Sequence, residues 1–344
     1  EGLTRPELSV LLSYSKIRLY QQLLDSDVPE DGWLSGEAVN YFPSQIRERY
    51  AGYVSSHRLK REIIATQVTN SLVNRMGASF VLRAREDTGA SPGEVARAYT
   101  IAREVFEARD FWQKLEKLDN RVGSDLQVAA QLNMWELLRQ ATRWLLNLPN
   151  RDLDIGRMVR RLSGGVAEME ATIRQNLTVD ERAALALAIQ QFRQGGFNAR
   201  LAQRAAMLDY LFPALDVVET AARRRTRVDR VAVISFALGE MFKFNWLRRE
   251  IESQVVAGQW HAISRANLRD ELFTHHNRMV ESVLMQHGRK KDPVAAWTQA
   301  HSAGVQEVST MLAQMRSQGE MDYATIAVAL RALGQLADDT PNEQ

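Results

Sequence analysis

The sequence predicts an all-α protein, an irregular multi-helix bundle with two helical subdomains, and three observations support this. Only eight of its 344 residues are proline, and most of those stand where a helix starts or a loop turns. Three capping boxes pair a hydroxyl with a glutamate three residues on: Thr4 with Glu7, Ser91 with Glu94, and Thr178 with Glu181. Strand signals are scarce, with no Asn-Gly hairpin turn and no sustained apolar/polar alternation between turns.

In chain order, Thr4 and Pro6 open a helix over 4–26, and Pro29 and Pro43 flank a short one over 35–42. Apolar periodicity then predicts 44–76 and 78–88; Ser91 starts 92–107, and 109–119 and 124–147 follow. Trp135 and Trp144 lie in the apolar stretches of that last helix and read as core anchors. The stretch "LPNRDLD" (148–154) is the junction between a subdomain over 1–150 and a bundle over 151–337. Beyond it the pattern predicts 152–176, then 179–194 behind Thr178, and 198–222 with a break just before Pro213. The remaining helices are 228–256, 260–287, 293–317 and 322–337, and 338–344 reads as a frayed tail. No repeat of fixed period exists to support a solenoid.

Composition excludes several classes. The formal net charge of +2 calls for no anionic partner, and 45% hydrophobic with 25% charged residues describes a globular chain. With no cysteine, there are no disulfides, thiolate nucleophiles or cysteine-based metal sites, which fits a reducing, cytoplasmic compartment. The most apolar run, "VAVISFAL" (231–238), is far short of the roughly 20 residues a spanning helix needs. No membrane partner is expected.

Motifs of catalysis are missing too. No G-x-G-x-x-G turn follows a strand, and no Walker sequence or H-E-x-x-H occurs. Glu271 and His275, four apart with His276 adjacent, would share one helix face, but a metal needs a third and fourth ligand. A solvated face is the default there. His57 reads as a satisfied structural imidazole, and Asn176–Thr178 matches a glycosylation sequon whose threonine is already a helix cap. No catalytic, cofactor-binding or metal residue is assigned.

Two patterns remain as candidate contacts. Glu62, Thr66, Asn70 and Asn74 recur every four residues and form one ridge. Thr and Asn are poor helix formers on a bland solvated face, so partners are expected, inside the bundle or across an interface. The second is "ARRRTRVDR", with Arg223, Arg224, Arg225, Arg227 and Arg230. Nucleic-acid binding would want interleaved aromatic side chains, so an acidic partner, within the chain or on another subunit, is the better reading.

The chain resembles the C-terminal helical region of the large bacterial NAD-specific glutamate dehydrogenases. The segments that carry this are "GLTRPELSVLLSYSKI", "HRLKREIIATQVTNSLVNRMGASFVLRAREDTGASPGEVARAY", "LDNRV", "ATRWLL", "LDYLFPALDVVETA" and "FALGEMFKFNWLR", with "WHAISRANLRDEL" looser. The resemblance implies a non-catalytic region that supports the catalytic domain, subunit assembly or regulation, in a parent enzyme that oxidises L-glutamate with NAD, the catalytic and NAD-binding residues lying upstream. It implies as partners the catalytic domain of the same polypeptide and other subunits of a homo-oligomer. On this reading "GLTRPEL" begins the first helix after the catalytic domain. The alternative is a free-standing helical adaptor or nucleic-acid-binding module using Arg223 to Arg230.

Overall fold

A computed structural model of the chain describes residues 2–319 and 321–338. The predicted tail over 338–344 lies outside the described residues except for Asp338, the last residue of the final helix. Among the described residues every regular element is helical and none is a strand. None of these helices is long and apolar enough to cross a membrane.

The first half of the chain carries α1 (Arg5–Leu24), α2 (Ser35–Tyr41), α3 (Ser44–Ser55), α4 (Lys60–Met76), α5 (Phe80–Thr88), α6 (Pro92–Val105), α7 (Ala108–Glu116) and α8 (Ser124–Leu146). Next come α9 (Ile155–Asn176), α10 (Val179–Gln194), α11 (Ala199–Met207), α12 (Ala214–Arg224), α13 (Val228–Met241) and α14 (Phe244–Ser253). The series ends with α15 (Gln259–His287), α16 (Pro293–Ala300), α17 (Ser302–Gln318) and α18 (Tyr323–Asp338). Short 3-10 turns occupy Val28–Glu30 and Leu208–Tyr210.

All three capping boxes form. Glu7, Glu94 and Glu181 accept from the backbone N–H of Thr4 (2.7 Å), Ser91 (2.7 Å) and Thr178 (3.0 Å). Each pairing satisfies donors that a helix start leaves open.

Four of the predicted helices are each divided in two. The run over 44–76 breaks at Ser56–Leu59, where His57 Nδ1 accepts from the Leu59 N–H at 3.1 Å and closes a local turn in place of helix. The run over 198–222 breaks across Leu208–Pro213, because Pro213 has no N–H to continue the ladder. The run over 228–256 breaks at Lys243, which takes a left-handed φ of 53° so that Phe242 and Phe244 can both turn inward, their rings 6.5 Å apart. The run over 293–317 breaks at His301, whose Nδ1 donates to the Trp297 carbonyl at 2.9 Å while its ring stacks on the Trp297 indole.

The chain divides into two compact units, Glu1–Gly164 with Leu187–Phe212, and Gly165–Ala186 with Pro213–Gln344. In the first, α6 is the central helix: Val95, Ala96, Ala98, Tyr99, Ile101, Ala102 and Val105 are all buried. Glu94, Arg97 and Glu104 keep to one half-buried side, and α8, α5, α7 and α1 pack on the helix. In the second, α15 plays that part against α18, α13, α16 and α14. Trp297 is fully buried there, its indole N–H donating to Ser282 Oγ at 3.0 Å.

Close helix crossings in the second unit depend on glycine. A methyl group on Gly165 of α9 would stand 2.7 Å from both Val218 methyls of α12. On its neighbour Gly164 it would meet nothing within 4 Å. Gly165→Ala is therefore expected to lower stability by about 1–3 kcal/mol through overpacking. Gly164→Ala should raise it by about 0.5–1 kcal/mol through helix propensity. Urea unfolding of the two variants beside the parent checks the opposite signs.

Candidate functional site

The predicted ridge on α4 is mostly half-buried. Asn70 Oδ1 accepts from Lys16 Nζ of α1 at 3.2 Å, a bond between two packed helices. Thr66 turns its hydroxyl back onto the Glu62 carbonyl (2.7 Å), and Asn74 is exposed. Glu62 keeps its Oε2 enclosed without a hydrogen-bond partner among the described residues. Beside the ridge, Arg61 pairs with Glu30 and donates to the Leu24 carbonyl (2.7 Å), closing the end of α1. Among the described residues, Asn70 is the one of the four with a hydrogen bond to a side chain on another helix.

The arginine run closes the α12–α13 turn and reaches α15. Arg223 and Arg224 share the carboxylate of Glu281, at 2.8 and 3.1 Å. Arg225 takes the left-handed cap position at φ 51°, and Arg227 pairs with Asp229 at 2.5 Å. That pairing raises the Arg227 guanidinium and holds the Asp229 carboxyl below its ordinary value. Arg230 donates to the carbonyls of Gly288 and Lys290, satisfying the end of α15.

Histidines 275 and 276 point different ways, as neighbours 100° apart on a helix must. His275 is buried against α18, where a methyl on Gly334 would lie 2.6 Å from its ring, and its Nε2 stands 3.3 Å from Glu271. An open trough of about 630 Å³ runs beside this pair, lined also by Arg331, Gln335 and Asp338. Among the described residues no group of three His, Asp or Glu side chains is placed to hold a metal ion. His276 faces α13 instead, its Nε2 donating to the Ser235 carbonyl at 2.9 Å and its ring stacked 4.4 Å from Phe244. Burial pushes its imidazole down to about 4, against the opposing pull of the Ser235 carbonyl. His276, Ser235 and Asp216 line a narrow cleft of about 10 Å³, room for one water at most.

Sequence reasoning missed a buried ionic cluster in the first unit. Arg103 of α6 is 3% exposed and reaches Glu37 of α2 and Glu104, each at 2.7 Å. Arg109 of α7 contacts the same two carboxylates, and Arg103 also donates to Ser71 of α4 at 3.3 Å. Ser71 in turn meets the Tyr99 hydroxyl at 2.9 Å. The available signal was an arginine on the apolar side of α6, four residues after Tyr99. No local pattern names Glu37 as its partner.

The other outlier is α1. Its stripe Leu8, Leu11, Leu12, Leu19 and Leu23 falls from 51%, 52% and 41% exposed to 6% and 0% along the helix. Val10, Tyr14 and Ile17 on the opposite side are 53%, 68% and 62% exposed. Half of one apolar helix is thus packed and half is bare.

Residues 1–335 match the family described as glutamate dehydrogenase, C-terminal. The chain belongs to that family. It is 35% identical over 343 residues to the NAD-specific glutamate dehydrogenase of Pseudomonas aeruginosa, covering 99% of this chain and 21% of that one. The NAD-specific glutamate dehydrogenase of Halomonas elongata is 33% identical, covering 98% and 21%. That of Mycobacterium tuberculosis is 26% identical, covering 97% and 21%. The chain therefore spans about a fifth of the length of these relatives.

The buried imidazole gives this glutamate dehydrogenase C-terminal region a defined acid response. An unfolded histidine titrates near 6.5, while folded His276 stays neutral and takes up no second ring proton until about pH 4. Between those values the unfolded chain binds the extra proton, so stability is full above pH 6.5 and is lost as pH falls toward 4. His276→Phe is expected to remove about 1–2 kcal/mol of that loss between pH 6.5 and 4.5. Urea unfolding of parent and variant at the two pH values measures it.

Proposed function

We propose that this chain is a non-catalytic helical domain of an NAD-dependent glutamate dehydrogenase, bracing the catalytic domain and the assembly of subunits. The parent reaction takes L-glutamate and NAD to 2-oxoglutarate, ammonia and NADH, with the cofactor held elsewhere in the polypeptide and the enzyme in the cytoplasm. The observation that carries this reading is the bare half of α1. Exposed apolar helix surface of this extent marks an interaction site, and relatives about five times as long offer a large body to cover it.

Two further features support a bracing part. The arginines of the α12–α13 turn serve Glu281, Asp229 and the end of α15. Buried charge in the first unit is spent on joining α2, α6 and α7. Both arrangements fix helices relative to one another.

The purified chain by itself is expected to enhance the fluorescence of a hydrophobic dye and to self-associate as its concentration rises. Sedimentation velocity with a dye titration tests this. A monodisperse monomer that leaves the dye dark would count against the reading.

A further inference from the structure

Resting on that reading, we propose that the first turns of α1, Leu8 to Ser15, insert into an apolar groove on the dehydrogenase part of the same polypeptide, which contacts both sides of the helix. Leu8, Leu11 and Leu12 continue the stripe that Leu19 and Leu23 bury within the first unit, so the same side calls for the same kind of cover. Val10, Tyr14 and Ile17 make a second exposed apolar side. A flat partner would cover one side only.

The polar groups of this segment point to enclosure as well. No charged residue lies between Glu7 and Lys16. Ser9, Ser13 and Ser15 turn their hydroxyls back onto the carbonyls of Arg5, Ser9 and Leu11, at 2.9, 2.9 and 2.8 Å. Those hydroxyls therefore need no outside partner. A helix apolar on all sides with its polar groups settled internally is one that is buried. Thr4 and Glu7 fix its start, so the segment is ordered before it docks and loses little entropy in doing so.

The occupant follows from length and symmetry. At 1.5 Å per residue the segment is about 12 Å long, too short for a bilayer core of about 30 Å. A second copy pairing α1 with α1 about a two-fold axis would cover one side of each helix and leave the other bare. A C-terminal region joined to its own dehydrogenase meets that body at high effective concentration, and the relatives' length supplies such a body.

The chain contains no cysteine, so a single introduced thiol reports on one position. Leu12→Cys and Val10→Cys place thiols about 160° apart, on the two exposed sides, and each is pulsed with a maleimide and read by peptide mass mapping. In the 344-residue chain alone both thiols should be modified at the rate of an exposed thiol. In the full dehydrogenase polypeptide both should react at least tenfold more slowly. Protection of only one position would overturn the groove in favour of a flat contact. Protection in the chain alone that grows with its concentration would make a second copy the occupant, and protection that needs added phosphatidylcholine vesicles would make it lipid; either overturns the proposal. A full polypeptide that oxidises glutamate with NAD while both thiols stay fast would overturn the groove and leave the bracing reading standing. A gene in which no dehydrogenase is joined to this chain would overturn both.

Discussion

Ten of the fourteen residues of α6 are buried, and α1, α5, α7 and α8 cover it. The same need governs α15 among α13, α14, α16 and α18. Without a sheet to pack on, each helix can remove its apolar surface from water only by laying it on another helix, which yields about 25 cal/mol for each Å² covered. At the crossings of Gly165 on Val218 and Gly334 on His275, the helices lie too close for a methyl group to fit without a shift. Half of α1 follows the same rule within the first unit, and half is left uncovered.

Charge inside the bundle is arranged by the same requirement. Arg103 sits among apolar neighbours at the centre of the first unit, where an unpaired guanidinium would cost several kcal/mol. Glu37, Glu104, Ser71 and the second cation Arg109 make its surroundings tolerable and tie four helices together in doing so. Such a cluster adds little net stability over an apolar replacement, but removing one member strands the others. Arg143 and Asp87, 2.6 Å apart, make a simpler case between α8 and α5. His276 needs no counter-charge, since its buried ring stays neutral and the Ser235 carbonyl takes its N–H.

How far the sequence could be read depended on how local each signal was. Thr4, Ser91 and Thr178 announced their helices because a cap is decided within four residues. Pro213 announced a break for the same reason. Lys243 gave no such warning. Nothing in its neighbours demands a left-handed residue, and the turn is imposed by the inward packing of Phe242 and Phe244. The division at His301 depends likewise on stacking against Trp297. Among the candidate residues, the arginine run was visible, but Glu281 lies 57 residues beyond Arg224 and no spacing rule connects them. Glu37 and Arg103 are 66 residues apart, and a lone glutamate in a seven-residue helix looks like any surface acid. Bare α1 could not be foreseen, because its leucines carry the same periodicity whether or not something covers them.

The chain is thus read as a part that buries and braces, with electron transfer done elsewhere in a longer enzyme. Calorimetric titration of the purified chain with NAD, followed by assay of NADH formation on adding L-glutamate, tests this most directly. No saturable heat and no NADH are expected. Stoichiometric NAD binding with turnover of glutamate by these 344 residues alone would contradict it.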